Sequence, residues 1–175
     1  MHFGVRFYPR SSTFKRALGA LATGQQLMAG QPAGDFTLPT NRSQKIAFIA
    51  GGIGITPFRS MVKYLLDKNE RRDIILFYAN NLPAAIVYRD IFDKAQAALG
   101  IKTVYAVTDT EHCPSDWTGE KGPIDQNVIK RYLPDYKERL FYVSGPPAMV
   151  DTFNDLLLSM GVRRRNIKRD FFAGY

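Results

Sequence analysis

From Ser43 onward, short apolar runs alternate with amphipathic stretches. Ile46 to Ala50, Ile74 to Ala79, Thr103 to Val107 and Leu140 to Ser144 are nearly continuous in apolar residues, the pattern of strands covered on both faces. Between them, Phe58, Met61, Val62, Leu65 and Leu66 recur at helical spacing. So do Val87, Ile91, Ala95 and Ala98, and later Val150, Phe153, Leu157 and Met160. Gly100 and Gly161 stand where helix C-terminal caps belong. The alternation predicts a doubly wound parallel α/β sheet of about five strands over residues 43–175. Residues 1–42 follow another rhythm. Phe3, Val5 and Phe7 alternate as in a half-buried strand, and Ser11-Ser12-Thr13 opens a short helical stretch with Phe14, Ala17, Leu18 and Leu21 on one side. Two more short strands are expected near Gln26 to Met28 and Asp35 to Leu38, with Gln31-Pro32-Ala33-Gly34 as the turn between them. This section is the tail of a small antiparallel barrel or an extension packed on the rest.

Two turns carry the candidate chemistry. The first apolar run enters Gly51-Gly52-Ile53-Gly54-Ile55-Thr56-Pro57, with Thr56 as the expected N-cap and Pro57 as the first helical residue. Glycines admit close approach of a ligand, and a helix start offers N–H groups to an anion such as a diphosphate. The turn departs from the dinucleotide fingerprint, because Pro57 stands at the last glycine position and Asn80 and Asn81 replace the expected ribose-binding acid. It is no Walker loop, since no Gly-Lys-Ser/Thr follows. Read alone, it is a cradle or merely a tight strand–helix turn. The second turn, Ser144-Gly145-Pro146-Pro147, also follows an apolar strand and opens a helix. Both would lie at one carboxyl edge of the sheet, where such folds bind ligands.

Composition narrows the classes. The 175 residues are 45% hydrophobic and 13% aromatic, a globular balance. No apolar run is long enough to span a bilayer, and the N-terminus lacks a signal peptide's apolar core. One cysteine, Cys113, excludes an internal disulfide framework and suits a reducing compartment, so a cytoplasmic location is expected. His112 and Cys113 are adjacent without further spaced ligands, and no metal site is expected. The net charge is +8, partly from Arg163-Arg164-Arg165 with Lys168-Arg169. No aromatic ladder interleaves with this run, so it is read as a solvated basic surface, not a nucleic-acid site.

At the two turns the chain resembles the ferredoxin–NADP reductase family. Gly51 to Pro57 is similar to that family's pyridine-nucleotide motif, and Tyr142-Val143-Ser144-Gly145-Pro146-Pro147-Ala148-Met149-Val150 to its second motif. Trp117 to Ile124 matches a loop before the fourth helix, Ile167 to Tyr175 the closing strand, and Phe14 to Leu38 the tail of the flavin barrel. The resemblance implies a hydride relay from NADH or NADPH to FAD or FMN, with single electrons then leaving to a redox partner. On it, Gly51, Gly52, Gly54, Ile55 and Thr56 hold the diphosphate and Pro57 shapes the helix start. Gly145, Pro146 and Met149 form the cofactor's second wall. Ser144, where the family most often has cysteine, contacts the nicotinamide, and Tyr175, with Phe172 as the alternative, covers the flavin ring. Asp170 lies near the flavin edge or pairs with a local arginine. Ser12 and Thr13 donate to a flavin phosphate or simply cap their helix. Asp109, in Val107-Thr108-Asp109-Thr110-Glu111, accepts from the adenosine ribose and repels a 2′-phosphate, which favours NADH.

One family feature is missing: the flavin strand Arg-x-Tyr-Ser/Thr is not found, and Arg6-Phe7-Tyr8-Pro9 does not replace it. Either FAD is held by a separate flavin-bearing chain, or it binds weakly at a partial site. Strand edges left by a partial barrel invite a partner or a homodimer. The alternative function is a non-catalytic NAD(P)H-binding module.

Overall fold

The structure is a computed structural model that describes residues 5, 7, 9, 11–28, 30, 31 and 34–171. A short helix, α1 (Thr13–Gly19), comes first. Then follow β1 (Ile46–Gly51), α2 (Thr56–Lys68), β2 (Ile74–Asn80), α3 (Arg89–Leu99), β3 (Lys102–Val107), β4 (Glu120–Lys121), α4 (Gln126–Tyr132), β5 (Leu140–Gly145), α5 (Pro147–Ser159) and β6 (Ile167–Phe171).

All strand pairs are parallel, in the order β4-β3-β2-β1-β5-β6. The sheet therefore has six strands, one more than the five expected. The additional strand is the two-residue β4, which pairs only with Ala106 and Val107 and is too short and polar to leave a periodic signal. After β1 the chain builds outward through β2, β3 and β4, then returns to place β5 on the other side of β1. The switch point thus falls between the carboxyl ends of β1 and β5, the two strands that carry the glycine turns.

Every residue of β1 is buried, because the strand alternates between two filled layers. Ile46, Phe48 and Ala50 join Phe58, Val62 and Leu65 of α2 and Phe92, Ala95 and Leu99 of α3 in one cluster. Ala47 and Ile49 join Phe77, Val128 and Ile129 of α4 and Val150, Phe153 and Leu157 of α5 in the other. The buried side of α3 is Phe92, Ala95 and Leu99, not the expected Val87, Ile91, Ala95 and Ala98. The helix begins only at Arg89, so Val87 lies in the preceding loop and the stripe is rotated toward Phe92. Gly100 is the C-cap of α3, and Gly161 follows Met160, the C-cap of α5, in the left-handed region.

At the amino edge, buried Arg139 fastens the sheet. Its guanidinium donates to the Ile46 carbonyl at 3.2 Å, to Asp73 at 2.7 Å and to Asp135 at 2.8 Å. Lys45 adds an ion pair to Asp135 at 2.8 Å. These contacts hold the Asp135 carboxyl down at about 2, with Arg139 the chief cause and Lys45 the second.

The N-terminal section departs from expectation. Among its described residues there is a helix but no strand; Gln26 to Met28 and Asp35 to Leu38 are irregular. A strand needs a hydrogen-bonded neighbour, and the described residues offer these segments none. Of the strand expected at Phe3, Val5 and Phe7, Phe3 lies outside the described residues. The last part of the section is nevertheless fastened to the α/β core. Phe36 packs edge-on against Tyr142 at 5.2 Å, Tyr142 donates to the Thr37 carbonyl at 2.6 Å, and Arg72 donates to the Pro39 carbonyl at 2.7 Å. Burial pushes the Tyr142 hydroxyl up to about 12, so it remains a donor at any physiological pH.

Candidate functional site

The two glycine turns cross each other. After β1 the backbone tightens into a 3-10 turn over Gly52–Ile55 that runs into α2. Gly52 starts it at φ 52°, a conformation that penalises any Cβ. Gly54 is required for a different reason. A Cβ there would lie 2.6 Å from the Gly145 Cα and closer still to the Ser144 carbonyl oxygen. This glycine therefore lets the β1 turn seat on the β5 turn. Its hydrogen faces protein backbone, not open space for a ligand. Thr56 is not the N-cap; it is the first residue of α2, and its hydroxyl donates to the Ile53 carbonyl at 3.2 Å. The 3-10 turn already supplies the helical entry, so a side-chain cap has no role there.

Beside the crossing lies a cavity of about 330 Å³ at the carboxyl edge of the sheet. Gly51 and Gly52 form one side, Pro146 and Met149 another, and Asn80, Asn81 and Thr108 the ends of β2 and β3. Met149, Thr152, Phe153 and Leu156 share a stripe of α5, beside the Val150 and Leu157 stripe that enters the core. Helical spacing made that neighbouring stripe readable in advance. Pro123 and Ile124, at the end of the Trp117–Ile124 loop, close the far wall; they were not among the expected site residues.

The sequence-predicted residues divide into groups. Gly51, Gly52, Pro146 and Met149 line the cavity. Gly54, Ser144 and Gly145 are buried where the two turns cross, and Ile55 is buried in the cluster that α2 and α3 form on the sheet. Thr56 follows at the head of α2, and Pro57 faces a separate groove between α2 and residues 36–42. Asp109 follows Thr108 and does not itself line the cavity; its N–H donates to the Asn81 carbonyl at 3.0 Å. Ser12 caps α1 by accepting from the Lys15 N–H at 3.3 Å, the capping alternative, and Thr13 is the exposed first residue of that helix. Tyr175 and Phe172 lie outside the described residues.

Sequence reasoning did not choose Asn80 or Asn81 as site residues, yet both line the cavity. Their signal was position alone, directly after an apolar strand beside the switch point.

Two buried polar atoms have no protein partner here: the Ser144 hydroxyl and the Asn80 amide nitrogen. Such groups are costly unless something satisfies them. The Asn80 amide lies beside the Tyr78 hydroxyl, and the largely apolar cavity is of a size to take one end of a nucleotide. Asp170 sits beside Ser144 in the β5–β6 register, half-buried, with its carboxyl raised above the ordinary range by burial. Asp109 shows the opposite: its carboxyl is lowered, first by the His112 backbone N–H and then by the His112 side chain.

Comparison with known proteins agrees with this geometry. Residues 48–155 match the family described as oxidoreductase NAD-binding domain. The chain is 25% identical over 163 residues to the glycine betaine monooxygenase reductase subunit of Pseudomonas aeruginosa, covering 88% of this chain and 44% of that protein. It is 33% identical over 158 residues to a flavohemoprotein of Halalkalibacterium halodurans, covering 86% of this chain and 37% of that one. The chain thus spans about two fifths of the length of these curated relatives. Among solved structures, the ferredoxin reductase in carbazole 1,9a-dioxygenase superposes with a TM-score of 0.61 at 32% identity, over 78% of this chain and 39% of that one.

Proposed function

The chain belongs to the oxidoreductase NAD-binding domain family, and from that premise we propose that it serves an NADH-dependent flavin oxidoreductase. The observation that carries this reading is the crossing of the β1 and β5 turns beside an apolar cavity at the switch point. When bound, NADH supplies a hydride, and a flavin divides the electron pair into single electrons for a redox partner.

The chain's own contribution is to bind and orient. The turn from Gly51 to Thr56 offers helix-start N–H groups to the diphosphate. Pro146 and Met149 hold the second wall. Asp109 engages the adenosine ribose and disfavours a 2′-phosphate. Ser144 and Asp170, neighbours at the carboxyl edge of β5 and β6, stand on the nicotinamide side. Tyr175 is proposed as the flavin-covering aromatic. Hydride transfer depends on geometry, so these positioning roles account for much of the expected rate.

One observation supports a further reading, in which the flavin is carried by another polypeptide. Helix α1 buries none of its residues, and Phe7, Phe14, Leu27 and Met28 are exposed apolar side chains of the same section. Those residues are suited to docking on a flavin-bearing chain or on a second copy of this one. Absorption spectroscopy of the purified chain with added FAD, then NADH, separates the cases. Flavin that binds and bleaches under NADH supports a reductase in this chain. NADH binding without flavin binding supports the two-polypeptide arrangement. Absence of NADH binding defeats both.

A further inference from the structure

We propose that a second cavity, at the outer edge of the sheet, binds a small aromatic carboxylate. This cavity shares no lining residue with the NADH cavity, so the site is independent of the function proposed above.

The cavity exists because β4 is short. Its two residues pair only with Ala106 and Val107, so among the described residues no strand covers the outer edge of β3 from Lys102 to Tyr105. The loop leading into β4, Tyr132 at the end of α4 and Arg89 at the start of α3 enclose a cavity of about 190 Å³ along that gap. Gly119 lets the loop pass this close. A Cβ there would lie 2.6 Å from the Tyr105 carbonyl oxygen and 2.5 Å from the Trp117 ring. The indole is fixed in turn, its N–H donating to the Glu120 carbonyl at 3.1 Å.

Cations and aromatic rings are paired around the cavity. The Arg89 guanidinium lies 4.9 Å over the Tyr105 ring, and the Lys102 ammonium lies 4.7 Å over the Tyr132 ring. Attraction to the ring faces holds both charges at the wall. Two acids stand beside these cations, and both are already matched. Glu120 accepts from the Tyr132 hydroxyl at 2.6 Å and pairs with Arg131 at 3.1 Å. Asp93 accepts from the Tyr105 hydroxyl at 3.3 Å and pairs with Arg89 at 3.7 Å. Among the described residues Lys102 has no acidic partner, so the group keeps one positive charge uncompensated.

These features select a ligand by size, shape and charge. The volume lies below the about 300–1,000 Å³ of sites for drug-sized molecules, which suits a ligand of a single ring. Trp117, Tyr105 and Tyr132 give that ring aromatic walls. The ammonium of Lys102, with the guanidinium of Arg89, gives a carboxylate charged donors.

Trp117 is the only tryptophan of the chain, so its fluorescence reads this cavity directly. The test is titration of the full chain with benzoate, followed by Trp117 emission and by calorimetry. Benzamide supplies the ring without the charge, and acetate the charge without the ring. Benzoate is expected to change the emission and to bind at least roughly tenfold more tightly than either. Lys102→Gln is expected to weaken benzoate binding about threefold to tenfold, and Lys102→Arg to keep it within about threefold of native. Lys102 is exposed, so neither variant disturbs the core. Saturating NADH is expected to leave benzoate affinity unchanged, because the cavities are separate. Acetate that binds as tightly as benzoate overturns the proposal and marks an adventitious ion only. Benzamide that binds as tightly, native affinity in Lys102→Gln, displacement of benzoate by NADH, or no benzoate binding at all also overturns it. A chain that binds benzoate in this manner but not NADH defeats the function proposed above and upholds this site.

Discussion

Gly54→Ala isolates the crossing of the two turns. The backbone at Gly54 lies outside the left-handed region, so alanine is conformationally acceptable there. By helix propensity alone the change is favourable, by up to ~1 kcal/mol. Sterics oppose it. The added Cβ would lie 2.5 Å from the Ser144 carbonyl carbon and 2.6 Å from the Gly145 Cα. Ordinary van der Waals contact begins near 3.4 Å, so the turns must separate by close to an ångström. Both neighbours are backbone and cannot rotate away. Overpacking of this kind costs about 1–3 kcal/mol, and rigid backbone on both sides puts the expected loss at the upper end, about 2–3 kcal/mol after the propensity gain. For a chain of this length that lowers the melting temperature by about 4–12 °C. The opened crossing also displaces Gly51, Gly52, Pro146 and Met149, so NADH affinity is expected to fall by an order of magnitude or more. Thermal denaturation followed by circular dichroism reads the first effect and calorimetry the second, with Gly30→Ala as control, since nothing lies within 4 Å of its Cβ position. A Gly54→Ala protein as stable as the native chain, or more so, with unchanged NADH affinity, would show that propensity outweighs the contact and that the crossing does not build the site.

Asn80→Leu replaces a buried polar side chain that lines the cavity with a similar volume of hydrocarbon. Stability to urea is expected to stay level or rise by about 1 kcal/mol, while NADH binding weakens about fivefold to tenfold; a stability loss with intact binding would assign Asn80 to the fold instead. Arg139→Ala leaves Asp73 and Asp135 facing each other's charge and the Ile46 carbonyl without its donor, so urea unfolding at pH 7 is expected to show a loss of about 2–3 kcal/mol. Asp135, held at about 2, contributes stability that is complete above its unfolded value near 3.8 and is lost as pH falls toward 2. Discounted for partial exposure, this is about 1–2 kcal/mol, and Asp135→Asn is expected to flatten the stability profile between pH 4 and 2; an unchanged profile would refute the assignment.

The fold was legible wherever burial is two-sided. β1 lies between two helical layers, so all its positions are apolar and its class follows from composition. Amphipathic spacing likewise revealed the buried faces of α2 and α5, because one stripe of each helix meets the sheet. The pair of glycine turns, and their common edge, followed from strand–turn–helix order. Short-range patterns fail where the cause is long-range. β4 is two residues long and exists only because β3 lies beside it. The expected strands near Gln26 and Asp35 had the residue pattern but, among the described residues, no neighbour to complete them. Gly54 looked like a residue that faces a ligand, but residues some ninety positions later determine that it faces backbone. Asn80 gained its place at the cavity through the strand order, and Asp109 its place beside Asn81 through the pairing of β2 with β3. Local sequence thus determined which segments are strands, helices and turns, since those depend on each residue's own burial and dihedral preferences. Tertiary structure alone decided which turns touch, which polar groups lack partners and which charges meet, because contacts between distant segments arise only once the sheet is assembled.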